Sequence, residues 1–160
     1  MVGDMFDGQG FVRGLARKGR RAKGASALIV GSGGVGSAIA VAMAEAEVGR
    51  LALYDKRSEA TEKLADRLQQ FFPKLSIQVG SNDPAGFEIV VNATPMGMEP
   101  GDPLPVDVER ISKETMVDEV VMKQEKTPLL RAAQERGFLT QIGTDMLFLS
   151  LIHISEPTRQ

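Results

Sequence analysis

Gly31-Ser32-Gly33-Gly34-Val35-Gly36 sets three glycines at the spacing G-x-G-x-x-G. Each glycine at this spacing has its own task. Gly31 permits a tight turn, Gly33 lets the backbone approach a pyrophosphate, and Gly36 lets a helix and a strand pack closely. The free N–H groups and the positive dipole end of the following helix then face an anion. Asp55 comes after Gly36 at the interval of roughly 20 residues where a dinucleotide fold places its ribose reader. A carboxylate there accepts hydrogen bonds from the ribose 2′- and 3′-hydroxyls, each worth about 1.5–3 kcal/mol to a charged group. Its charge repels a 2′-phosphate, which favours NAD over NADP. Lys56 and Arg57 follow at once and are able to hold that phosphate, so NADP stays open as the alternative. Asn92 and Thr94 add short polar groups after a later apolar run. Each feature also has a plainer reading. The glycines fit a strand-to-helix turn with no ligand, and Asp55 fits a helix N-cap, with Ser58 competing for that place. Asn92 to Thr94 fit a capped turn.

The elements around these residues decide between the readings. Ala27 to Val30 is a short apolar run, expected to be a buried strand, and an Ala-rich helix follows the glycines from Val35 to Glu47. Strand, glycine turn and helix in succession is the context the motif needs. Val35, Ile39, Ala42, Met43 and Ala46 recur at helical spacing, with Met43 a core residue and Gly49 the stop. Leu51 to Tyr54 is the second strand, with Asp55 at its carboxyl end. Ser58 to Phe72 is a second amphipathic helix with Ala60, Leu64, Leu68 and Phe71 on one stripe, ended by Pro73. Strands follow at 75–79, 87–91, 115–121 and 138–142, with a short helix over Val106 to Ile111. A further helix runs from Pro128 to Arg136, with Thr127 as its N-cap and Gly137 as its end. Ahead of the first strand, Met1 to Gly10 is too rich in glycine for a helix interior. Phe11 to Arg17 forms a short helix, and Arg17 to Gly24 a basic, solvated connector. Alternating strands and helices with about six strands predict an α/β fold, a Rossmann-like doubly wound parallel sheet in a single domain. In such a sheet ligands sit beyond the carboxyl ends of the strands, which brings the loop after Val91 to the same crevice as the glycines.

Bulk properties narrow the partners. With 160 residues, 42% of them hydrophobic and 25% charged, the chain has an ordinary globular composition. The net charge of −2 gives no reason to expect nucleic acid or an anionic membrane as partner. There is no cysteine, so disulfides and thiolate metal sites are excluded, and no metal site is expected. That composition is compatible with a reducing cytoplasm. Residues 149–160 read as a non-native tail. Leu149 to Arg159 matches what one reading frame of a transposon-type sequencing adapter encodes, so His153 is given no catalytic role.

Several stretches together resemble the shikimate/quinate dehydrogenase family, in its shikimate dehydrogenase-like branch. Gly3-Asp4-Met5-Phe6-Asp7-Gly8-Gln9-Gly10-Phe11 is similar to the family's N-T-D-G-x-G segment. Asn92-Ala93-Thr94-Pro95-Met96-Gly97-Met98 is similar to its N-A-T-x-x-G-M signature. Lys126 to Leu130 and Gly143 to Leu147 resemble its T-P-L-L and G-x-x-M-L stretches. The resemblance runs from about residue 3 to residue 148 in the family's order.

The resemblance implies a two-domain enzyme that moves a hydride between NAD(P) and shikimate, quinate or a related cyclic polyol. By it, residues 1–24 are the interdomain joint and connector, 25–148 the dinucleotide-binding domain, and the N-terminal substrate domain with its catalytic lysine is absent. Asp7 falls on the family's catalytic and substrate-binding aspartate. Gly31, Ser32, Gly33, Gly34, Val35, Asp55, Lys56, Arg57, Asn92, Ala93, Thr94, Met96, Val120 and Gly143 are implied to line the cofactor, with Met146 near the nicotinamide. This sequence departs from the family in four places. Met5 and Phe6 replace Asn-Thr, and Met122 stands where the family has a substrate-binding tyrosine. Asp55-Lys56-Arg57 replaces N-R-T, and Ser150 stands where a substrate-binding glutamine is expected. A homodimer is compatible with the family. On its own, such a chain is expected to bind nucleotide weakly and to turn nothing over. Two other readings stand beside this one: a non-catalytic nucleotide-binding module, and another two-domain dehydrogenase such as a methylene-tetrahydrofolate type.

Overall fold

The computed structural model describes residues 8–94, 104–112, 114–119, 128–135, 137 and 139–141. Its elements in chain order are α1 (Gly8–Arg17), β1 (Ser26–Val30), α2 (Gly34–Glu45), β2 (Arg50–Tyr54), α3 (Ser58–Phe71), β3 (Ser76–Val79) and β4 (Ile89–Asn92). A single 3₁₀ turn (Val108–Arg110), β5 (Met116–Glu119), α4 (Pro128–Glu135) and β6 (Leu139–Gln141) follow. The six strands form one sheet in the order β3-β2-β1-β4-β5-β6, and every pairing is parallel. The chain therefore winds outward from β1 in one direction, then returns to β4 and winds outward in the other. The order reverses between β1 and β4, and the crevice at that switch point is where this class of sheet binds ligands.

Both faces of the sheet are covered, which is why its central strands read as continuous apolar runs rather than alternating ones. Ala27, Ile29, Leu51, Leu53, Ile89, Val91 and Met116 pack against Phe11 and Leu15 of α1, Ile39 and Met43 of α2, and Leu64 and Leu68 of α3. Leu28, Val30, Ala52, Val90 and Val117 point the other way, toward Val108 and Ile111 around the 3₁₀ turn and Leu129 and Ala133 of α4. β3, at one edge of the sheet, is largely exposed.

Four local expectations are corrected. The first helix starts at Gly8, inside the glycine-rich stretch, not at Phe11. Glycine costs about 1 kcal/mol in a helix interior, but Gly10 and Gly14 are buried beside the wholly buried Phe11 and Leu15, so packing against α2 outweighs propensity. The second helix does not stop at Gly49. Its C-cap is Ala46, and Glu47 takes the left-handed position at φ 66° while the Val48 N–H reaches back to the Met43 carbonyl at 3.1 Å. That is a Schellman closure, ordinarily made with glycine. Gly49 is needed instead for close approach, since a Cβ there would stand 2.8 Å from the Gly24 carbonyl oxygen. In α3 the buried stripe is Thr61, Leu64 and Leu68, with Phe72 packed beyond the helix end, so Phe71 turns outward and is 75% exposed. The short helix expected over Val106 to Ile111 is one 3₁₀ turn capped by the Asp107 carboxylate, which accepts the Glu109 N–H.

Candidate functional site

At the end of β1 the chain must turn sharply, and Gly31 makes the turn at φ 114°, a conformation closed to residues with a Cβ. The turn is held from both sides. The Gly31 N–H donates to the Tyr54 carbonyl at 2.7 Å, and the Ala93 N–H donates to the Val30 carbonyl at 2.7 Å. A Cβ on Gly31 would lie 2.8 Å from the backbone of Ala93 and 2.9 Å from Thr94 Cγ2. The β1 loop and the β4 loop are thus in contact across the switch point. Gly36 closes the elbow from inside, where a Cβ would stand 2.1 Å from the Gly31 carbonyl oxygen. Gly33 and Gly34 differ from both, because a Cβ on either would meet nothing within 4 Å. Two glycines serve packing, and two leave open space above the loop.

The start of α2 leaves donors that suit an anion. Its N-cap is Gly33, which has no side chain to satisfy the first-turn N–H groups, and that turn holds no acidic residue. Those N–H groups have no partner within the helix by its geometry. Their summed dipole is equivalent to about half a positive charge at the helix start. The donor set therefore fits the pyrophosphate of a dinucleotide.

Asp55, just past β2, is linked directly to this elbow. Its Oδ2 accepts the Ser32 N–H at 2.7 Å, and its Oδ1 accepts the Arg57 N–H at 2.8 Å. The Arg57 guanidinium stands 3.6 Å from Oδ1. Burial pushes this carboxyl up, but the Arg57 and Ser32 N–H groups, and then the Arg57 charge, outweigh it and hold Asp55 below the usual carboxylate range. A depressed folded value contributes stability at pH above the unfolded carboxylate value, lost as pH falls through the folded one. The acid limb of a stability–pH curve, as pH falls below the ordinary carboxylate range, should therefore be shallower for Asp55→Asn than for wild type, measured by urea unfolding. Asp55 is not the N-cap of α3. Arg57 occupies that place without a side-chain bond, and Ser58 is already the first helical residue.

Ser32 is buried, with its Oγ 3.3 Å from Thr61 Oγ1 and its carbonyl accepting Ser37 Oγ–H at 3.2 Å. Beside these residues a cleft of about 520 Å³ opens between α2 and α3, bordered by Lys63 and Arg67. Val35 is half-buried in the first turn of α2, and Lys56 is exposed next to Asp55.

Asn92, at the last position of β4, is 1% exposed and braces the β4 loop from below. Its Oδ1 accepts both the Thr94 N–H, at 3.0 Å, and the Thr94 Oγ1–H, at 2.6 Å. Its amide nitrogen lies 3.1 and 3.0 Å from the two carboxylate oxygens of Glu119. The side chain of Asn92 thus faces protein, while Ala93 and Thr94 form the rim. Glu119 is the residue that sequence reasoning missed. Its signal was the acidic pair Asp118-Glu119 at the end of an otherwise apolar strand. Asp7, Met96, Val120, Met122, Gly143 and Met146 lie outside the described residues, as do Thr127, Ser150 and residues 149–160. Among the described residues no group of three or more His, Cys, Asp or Glu is arranged to hold a metal ion, and no helix is long and apolar enough to cross a membrane.

No family model matches the chain. It is 30% identical over 149 residues to a protein named shikimate dehydrogenase (NADP(+)) from Pelagibacter ubique, an overlap of 93% of this chain and 54% of that one. It is 34% identical over 146 residues to the protein of the same name from Sinorhizobium medicae, covering 88% of this chain and 50% of that one. Among solved structures, quinate dehydrogenase from Corynebacterium glutamicum in complex with NAD shares 33% identity at a TM-score of 0.76, over 89% of this chain and 52% of that one. Shikimate 5-dehydrogenase from Listeria monocytogenes in complex with shikimate and NAD shares 27% identity at a TM-score of 0.82, over 91% and 54%. The chain spans about half the length of the curated relatives it matches.

Proposed function

We propose that this chain, a member of the shikimate/quinate dehydrogenase family matched along about half of its relatives' length, is the dinucleotide-binding part of an oxidoreductase acting on shikimate, quinate or a related cyclic polyol. One observation carries the reading. The glycine elbow lies at the switch point of the sheet, and the carboxylate that braces it sits where a ribose reader belongs. When bound, the dinucleotide supplies hydride transfer at its nicotinamide. The chain's own residues do the holding. First-turn N–H groups of α2 offer donors to the pyrophosphate. Asp55, with lone pairs remaining on both oxygens, accepts the ribose hydroxyls. Ala93 and Thr94 form the opposite rim. Asp7 is proposed, on its match to the family's D-G segment alone, as the acid–base group facing the polyol.

We assign NAD as the preferred cofactor, with NADP the weaker ligand, although the relatives above carry NADP(+) in their names. The Asp55 carboxylate stands where a 2′-phosphate would need a cation. The Arg57 guanidinium is turned toward Asp55, 3.6 Å from its Oδ1. Asp55→Ala should weaken NAD by about 10- to 100-fold, the worth of one bond to a charged group, and NADP by much less. Calorimetric titration of both nucleotides into both proteins checks this. Tighter binding of NADP than of NAD by wild type overturns the assignment.

A further inference from the structure

We infer that Glu119 is a positioning residue for the nucleotide crevice, acting through Asn92; the inference rests on the reading of that crevice given above. Glu119 and Asn92 are the last residues of β5 and β4 and stand at the same register in adjacent parallel strands. By the alternation of strand side chains they share the sheet face of Val90 and Val117. Each is 1% exposed. A carboxylate so far from water is costly unless donors meet it, and the Asn92 amide nitrogen does so, at 3.1 and 3.0 Å from its two oxygens.

That contact fixes which way the carboxamide points. A carboxylate only accepts, so the NH₂ end of Asn92 must face Glu119 and the oxygen must face away. The oxygen so directed receives the N–H and the hydroxyl of Thr94. Thr94 in turn presses its Cγ2, with the Ala93 backbone, against Gly31 of the elbow. Glu119 orients the amide that holds the rim in place.

The polarity of this pair makes it testable by exchange. Asn92→Asp alone sets a second carboxylate about 3 Å from the first, a like-charge contact. Asn92→Asp combined with Glu119→Gln restores a donor-to-acceptor pair with the direction reversed, and leaves the residue at 92 an oxygen for the Thr94 N–H. A role in mere space filling would not respond to this exchange. The experiment measures two things on the 160-residue chain and its variants: hydrogen exchange at the Thr94 amide without nucleotide, and the Kd for NAD.

Asn92→Asp should speed Thr94 exchange and weaken NAD at least tenfold. Glu119→Ala should do the same to a smaller degree. The double variant should recover most of both losses. Should Asn92→Asp fail to fold, the recovery is read as return of a cooperative melting transition in the double variant. A double variant no better than Asn92→Asp, or a Glu119→Ala protein with wild-type Thr94 exchange, overturns the inference. A wild-type chain that does not bind NAD refutes the nucleotide reading instead, and the exchange data still decide whether Glu119 holds Thr94.

Discussion

Gly36→Ala should destabilise the chain by about 3 kcal/mol, the upper end for a methyl forced into a packed interior. For a chain of this size that lowers Tm by about 6–12 °C. The reason is local and severe. The added Cβ would stand 2.1 Å from the Gly31 carbonyl oxygen and 3.4 Å from the Ala93 Cβ. Relief requires α2 to move off the end of β1, but Ile39 and Met43 on the same helix are wholly buried against the sheet. Backbone atoms meet the new methyl here, so no side-chain rotation offers an escape. Thermal unfolding followed by circular dichroism checks the expectation. A Tm within 2 °C of wild type would show that α2 docks less tightly on β1 than described.

Gly33→Ala should behave in the opposite way, with nearly unchanged stability and a loss of at least tenfold in nucleotide affinity. Gly33 has φ −79°, which alanine adopts without strain, and a Cβ there meets nothing within 4 Å. Alanine is a poorer N-cap than glycine, but it lowers the entropy of the unfolded chain by a comparable amount, about 0.4–1 kcal/mol. The two terms nearly cancel, so stability should stay within about 1 kcal/mol of wild type. The methyl projects into the open space above the loop, where the proposed pyrophosphate must approach the backbone. A tenfold loss corresponds to about 1.4 kcal/mol. The contrast between two glycines three residues apart separates packing from binding. Gly36 is glycine because protein fills the space, and Gly33 is proposed to be glycine because a ligand does.

Much of this site was legible from local pattern. The apolar run before Gly31 and the helical spacing of Ile39, Ala42 and Met43 announced the strand, the elbow and the helix, because each rests on neighbours within one turn. The place of Asp55 just past β2 followed from its interval, which the lengths of α2 and β2 dictate. Other features depend on the fold as a whole. The buried stripe of α3 keeps the expected Leu64 and Leu68 but ends on Thr61 and Phe72 rather than Ala60 and Phe71, because Thr61 meets Ser32 and Phe72 meets the core beyond the helix end. Glu47 in the left-handed position carries no local mark, since its backbone is imposed by the joint closure of α2 and the crossing of residues 23–25. For a similar reason, no role could be read from the acidic pair that marks Glu119. Its partner lies on a strand 27 residues earlier, and only the sheet order makes them neighbours. A carboxylate at the end of a buried strand becomes informative once the amide beside it is known.

Isothermal titration of NAD into wild type and Gly33→Ala, both confirmed as folded by their melting curves, tests the central claim most directly. The account predicts saturable one-site binding to wild type and at least tenfold weaker binding to the variant at unchanged Tm. Equal affinity in the two proteins, or a folded wild-type chain that takes up no dinucleotide at all, contradicts it.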